Sequence, residues 1–288
     1  MIGNLIVNGG FEEIWNDNHD AIVVQPSGEC STEQVGNIFS PMHWTTWFVH
    51  IESSDHEVAL AQPEVRDAWR SHDPRRVFEG DKGILFFTFF KKHFGGFMQQ
   101  VEVERGREIV LGAKAHAWSN SKDGPHPDDA FWSEGAGYSS GYRLEGNAPD
   151  DDWKNFLFSV GIDPTGGTNP MADTVVWGHG AHIYNEYQDV PAVSVQAKSN
   201  VVTVFLRSST MWAFKHNDAY WDNAWLVYND VPVDPGDCVP PRTPYDRHYL
   251  LLPQMTDDPI GAMECAWRLP LDRTGTWLLW VTQPTMPV

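Results

Sequence analysis

Short apolar or alternating runs recur along most of the chain, divided by clusters of glycine, proline, asparagine and aspartate. They are ILFFTFF (84–90), FMQQVEV (97–103), EIVLGAKAHAW (108–118), FLFSVGI (156–162), AVSVQA (192–197), VVTVFLR (201–207) and YWDNAWLVY (220–228). Runs of this length between turn formers predict strands. A period of two in Val101 and Val103, and in Val202, Val204 and Leu206, predicts sheets with one packed face and one wet face. At least seven such strands make a two-sheet sandwich. Helical patterning is scarce. PEVRDAWRSH (63–72), with proline at its first position, predicts two or three helical turns, and PIGAMECAWRL (259–269) predicts another short helix.

The stretch 16–81 carries little strand signal, and it reads as a long elaborated loop holding the first of those helices. Its aromatics Trp44, Trp47, Phe48 and Trp69 are expected to fold it back onto the body. VPVDPGDCVPPRTP (231–244) has five prolines in fourteen residues, which stiffen and extend a chain. Beyond it, 245–288 includes HYLLLP (248–253) and WLLWV (277–281) and is too short to bury a core of its own. The expected organisation is a sandwich over 1–230 with a loop insertion at 16–81, a linker at 231–244 and an appendage at 245–288. That appendage is expected to pack on the sandwich or to join a neighbouring copy, because a free monomer does not leave an apolar strip such as 277–281 exposed.

Charge narrows the partners. Against 20 Lys and Arg stand 39 Asp and Glu, a net charge of −19 over 288 residues. Such a surface repels a phosphate backbone, so nucleic acid is not expected as a partner. No run of eighteen apolar residues is present, which argues against membrane insertion. The start of the chain has neither a basic stretch nor an apolar one of signal-peptide length, so export by the general route is not expected. An extracellular or virion setting stays open. Cys30, Cys238 and Cys265 are widely scattered without metal-knuckle spacing and read as small apolar residues.

Catalytic patterns are weak. His179, His182 and Glu186 have helical metal-ligand spacing, but Val175, Val176, Gly178 and Gly180 predict a strand and a turn, which scatter those side chains. The acids at 128–129 and 150–152 sit among proline and glycine, where carboxylates are usually solvated rather than paired across a cleft. No nucleophile elbow or phosphate-cradling loop occurs. Aromatics are better candidates, since an indole stacks on the apolar face of a sugar ring. Trp118, Trp132, Trp177 and Trp212 lie at strand ends or in loops and are the expected ligand-binding residues, whereas Trp221 and Trp225 are assigned to the core or the sheet surface.

Four segments, in this order, resemble the galactose-binding-like jelly rolls, particularly carbohydrate-binding modules of families four, nine and twenty-two. They are NLIVNGGFE (4–12), the Gly80-Asp81-Lys82-Gly83 turn, FGGFMQQVEV (94–103) and the closing Asn217-Asp218-Ala219-Tyr220-Trp221-Asp222-Asn223. The resemblance implies an all-β, antiparallel jelly-roll sandwich whose first and last strands lie side by side. It further implies a structural calcium (Ca2+) site in which Glu12 and Asp222 supply carboxylates, with backbone oxygens near Asn8 and Lys82 completing the shell. The implied function is non-catalytic binding of a polysaccharide or cell-surface glycan. Those modules usually sit on secreted glycoside hydrolases, a setting this chain is not expected to share. Two alternatives stay open: a virion component, such as a capsid decoration or tail-fibre part assembling through the appendage, and a polysaccharide-cleaving enzyme.

Overall fold

The alternation at Val202, Val204 and Leu206 sends each of these side chains into a fully buried interior, and Phe205 between them emerges on the opposite face. A computed structural model describes residues 3–13, 19–55, 58–119, 154–214 and 216–229. The chain divides into two units, Met1–Asn229 and Asp230–Val288, and every described residue belongs to the first. The linker, the helix expected at 259–269 and the strip at 277–281 lie outside the described residues.

Twelve strands are described: β1 (Asp20–Val24), β2 (Cys30–Gln34), β3 (Thr45–Val49), β4 (Glu64–Trp69), β5 (Lys82–Thr88), β6 (Phe94–Glu102), β7 (Glu108–Ser119), β8 (Phe156–Asp163), β9 (Val176–Trp177), β10 (Gln188–Gln196), β11 (Val201–Thr210) and β12 (Asn217–Tyr228). A 3-10 turn, Pro74–Arg76, joins β4 to β5. Seven strands form one sheet in the order β2-β1-β3-β6-β11-β8-β9, and five form the other, β10-β7-β12-β5-β4. All pairings between strands are antiparallel except β1 with β3. The protein is therefore an all-β, two-sheet sandwich.

Between the sheets lies one large apolar cluster, built from Ile109, Leu111, Ala113, Ala115 and Ala117 of β7, Phe158, Val160 and Ile162 of β8, and Ala219, Trp221 and Leu226 of β12, among others. A second apolar cluster, with Trp47, Met98 and Phe205 at its centre, covers the outer face of the larger sheet. All four sheet edges are modified. β2 is polar and exposed, β9 has two residues, β10 carries Pro191 within a register shift between Val190 and Val193, and β4 is flanked by residues 37–39, which exchange backbone hydrogen bonds with Val65.

The region 16–81 differs from its expected form as a loop with a helix. It contains four strands, and 64–69 is a strand rather than the start of a helix. Pro63 imitates a helix start, but Val65 lies directly opposite Phe86 and is fully buried with it. Packing of that pair overrides the local helical signal.

Candidate functional site

The two acids singled out at the chain's ends converge on one turn. The N-terminal segment reaches it by running along β12: Leu5 N–H donates to Leu226 O at 2.8 Å and Ala224 N–H donates to Gly9 O at 2.8 Å. The Asn4 side chain accepts from Leu226 N–H and donates to Ala224 O. At Gly9 a Cβ would overlap the Ala224 carbonyl, so this close approach requires glycine. Phe11 then anchors the segment in the core beside Trp44 and Phe97, with ring centres 5.3 and 6.2 Å away.

From that anchor Glu12 extends to the turn before β5, where one carboxylate oxygen accepts from Asp81 N–H at 2.9 Å and Lys82 N–H at 3.1 Å. Gly80 has φ +65°, and a Cβ there would overlap this carboxylate. Asp222 meets the other end of the same turn. Its Oδ2 accepts from Phe78 N–H at 2.9 Å and Glu79 N–H at 3.1 Å, and its Oδ1 accepts from Asn223 N–H at 2.6 Å. Asp222 is fully buried, at the start of a bulge in β12. Burial raises its pKa to about 7 and the nearby Glu12 charge adds to the rise, against the lowering effect of its three backbone hydrogen bonds.

Two neighbouring carboxylates, one of them desolvated, fit a divalent cation in charge. Among the described residues no group of three or more His, Cys, Asp or Glu is placed to hold a metal ion. Calcium does not require one, because carbonyl and water oxygens fill most of its shell. Lys82 enters this turn through its N–H, and its ammonium lies 4.5 Å from the Trp69 ring centre. Asn8 is engaged otherwise. Its carbonyl oxygen accepts from Phe11 N–H and Trp44 Nε1–H, and its side chain bonds Met42 O and Glu13 N–H.

On the outer face of the five-stranded sheet is a cavity of about 260 Å³. Ala68, Leu85, Trp118 and Tyr220 give it apolar walls, Trp69 stands partly exposed beside them, and Asp67, His72, Asp73, Arg76 and Asp218 supply polar groups. The 3-10 turn shapes it: Asp73 caps the turn by accepting from Arg75 N–H. Arg76, nearly buried, then lies 4.9 Å from the Tyr220 ring centre and 5.5 Å from that of Trp118. Burial pulls the Asp73 carboxyl upward, but hydrogen bonds from Arg75 and the charges of Arg76 and Arg75 outweigh it and hold the group below its ordinary range. Asp73 is thus kept ionised and cannot serve as a general acid near neutral pH. Nearby His116 is held neutral, chiefly by burial and then by the Arg76 charge.

No family model and no curated protein matches the chain. Among solved structures it is similar to a family 61 carbohydrate-binding module in complex with β-1,4-galactotriose, at 11% identity and TM-score 0.41, covering 78% of this chain and 99% of that one. A family 4 carbohydrate-binding module aligns at 13% identity and TM-score 0.34 over 78% of this chain and 99% of its own. The fold resembles that of carbohydrate-binding modules. A cyclase from Fischerella sp. TAU aligns equally well, at 12% identity and TM-score 0.41 over 80% of this chain and 98% of its own.

Of the four tryptophans expected to bind a ligand, two lie away from this cavity. Trp212 is buried, stacked on Phe214 at 5.4 Å, and its backbone is bonded to Asn155 and Asn217. Trp118 is fully buried, contributing only to the wall of the cavity. Trp177 is half-buried on the opposite sheet, with the Arg207 guanidinium 3.9 Å from its ring centre. Trp132 lies outside the described residues. The cavity's own Trp69 and Tyr220 were not among the expected ligand residues. Tyr220 had a signal, since it alternates with Ala219 and Trp221 in β12 and so faces away from the core. Trp69 was hidden by the helical reading of 63–72.

Proposed function

We propose that this protein is a non-catalytic carbohydrate-binding module, with its ligand held on the outer face of the five-stranded sheet. The cavity walled by Leu85, Trp118 and Tyr220 and flanked by Trp69 carries this reading. Apolar rings beside buried Asp218, Asp73 and Arg76 offer a sugar both a stacking surface and hydrogen-bonding groups. The pairing of Asp73 with Arg75 and Arg76, at 3.0 and 3.2 Å, supports binding over hydrolysis, because cleavage needs a carboxyl that stays protonated. Screening the full chain against immobilised glycans tests this. Retention of at least one glycan is expected, and Trp69→Ala and Tyr220→Ala should each weaken it about tenfold or more, the cost of one well-packed aromatic contact. No retention of any glycan would refute the proposal.

Calcium belongs to the same proposal as a structural ion. Glu12 and Asp222 would hold it at the 78–82 turn, and when bound it would supply positive charge between two acids that otherwise repel each other. The convergence of both carboxylates on this one turn supports the reading, and the backbone N–H groups that meet them would share those oxygens with the ion. An ion bound only by the native state raises stability by about 2.7 kcal/mol at a hundredfold excess over its Kd. Chelation is therefore expected to lower the melting temperature of the intact protein and to leave that of Glu12→Ala unchanged, as followed by calorimetry.

A further inference from the structure

Arg207 lies on β11, on the face of the seven-stranded sheet turned away from the core. Its guanidinium carbon is 3.9 Å from the Trp177 ring centre and 5.2 Å from that of Phe94. The chain has 39 acids for 20 basic residues, and several of the described basic side chains meet a carboxylate. Arg66 has Glu64, Arg75 and Arg76 share Asp73, Arg107 has Glu104 and Lys114 has Asp189. Arg207 has no ion pair and no hydrogen-bond acceptor among the described residues, although it is partly buried between two rings. A desolvated guanidinium with five unused donors is costly unless something meets it.

The cross-strand register places Trp47, Gly96, Arg207 and Ser159 in one row, and directly opposed residues share a face. Gly96 has no side chain, and a Cβ there would overlap the Leu206 carbonyl, so the strands approach closely at this row. Ser159 is fully buried, and its hydroxyl has no hydrogen-bond partner among the described residues. A buried hydroxyl of this kind ordinarily finds an acceptor. The arginine and the serine, neighbours across the strands, each lack an acceptor among the described residues.

We infer that this face holds a site for a single carboxylate, received by the forked edge of Arg207 with the Ser159 hydroxyl as a second donor, while Trp177 and Phe94 keep the guanidinium flat. The planar fork matches two coplanar oxygens. The net charge of −19 favours an isolated carboxylate over a polyanion, which the rest of the surface repels. The site is separate from the cavity on the other sheet and stands whether or not that cavity binds sugar.

Calorimetric titration of the full chain with glucuronate, acetate, glucose and sulfate tests the inference. Saturable binding of glucuronate that Arg207→Lys weakens is expected, whereas any glucose binding at the other cavity should be unchanged by Arg207→Lys. Acetate binding as tightly as glucuronate would still support a carboxylate site, with the sugar ring contributing nothing. Arg207→Lys keeps the charge and the stem but loses the fork, and it should weaken glucuronate binding about tenfold or more, as should Ser159→Ala more mildly. Glucose binding that Arg207→Lys weakens as much as glucuronate binding, sulfate binding equal to glucuronate, or an Arg207→Lys protein that folds and binds as the unaltered chain does would each overturn it.

Discussion

Asp222 is an acid in a place that charges avoid, and its titration gives the first test. The unfolded carboxyl titrates near 3.8 and the folded one near 7. Between those values the unfolded chain binds fewer protons than the native one, so this group's contribution to metal-free stability falls as pH rises through that window. Replacing Asp222 with asparagine removes the charge. The difference in unfolding free energy, Asp222→Asn minus the unaltered chain in chelator, should therefore rise between about pH 4 and about pH 7. Urea titrations across that range measure it, and a flat or falling difference would show that the folded carboxyl titrates normally. Calcium would remove the penalty by balancing the charge, which makes the pH slope itself a reporter of occupancy.

Among the elements, the segment leading to Glu12 depends on contact with β12 rather than on a ladder of its own. Residues 3–13 are not a strand, yet Asn4 and Gly9 fasten them to Ala224 and Leu226. Gly9→Ala forces this segment off the Ala224 carbonyl and should cost about 1–3 kcal/mol by denaturant unfolding, together with most of the calcium-dependent gain in melting temperature. A loss of stability with the calcium increment intact would show that Glu12 is positioned independently of Gly9. The strands from 84 onward were legible in the chain because alternation such as Val202, Val204 and Leu206 records a buried face directly. Those before 82 were not. β2 reads CSTEQ and has no apolar residue except its first, and β4 begins after a proline that mimics a helix start. Their strand character comes from partners far along the chain, as when Val65 meets Phe86. The acid pair was legible through resemblance, since Glu12 and Asp222 lie in matched segments. The ligand face was less so, because exposure depends on which strand covers which: Trp118 at a strand end is buried, while Trp69 in a misread segment is not.

For the molecule as a whole, two uncharged histidines set its response to acid. His93 is completely enclosed and burial lowers its pKa to about 3, and burial lowers that of His116 well below 6.5. Because the unfolded chain takes up these protons first, the histidines' contribution is full above about pH 6.5 and declines as pH falls, by about 2 kcal/mol for His93 at pH 5, opposite in sign to that of Asp222. His93→Gln keeps a polar group beside Thr88 and Ser208 but cannot titrate. Between pH 7 and about pH 5 the unaltered protein should lose about 2 kcal/mol more than this variant in urea unfolding, and equal losses would argue against the buried neutral imidazole. The sheet margins carry a different consequence. With β2 polar, β9 cut to two residues, β10 interrupted by Pro191 and β4 already flanked by 37–39, no border offers the continuous row of donors and acceptors that another backbone needs for docking. Crowding many copies together should therefore not seed fibrils by strand addition at the borders of these described sheets.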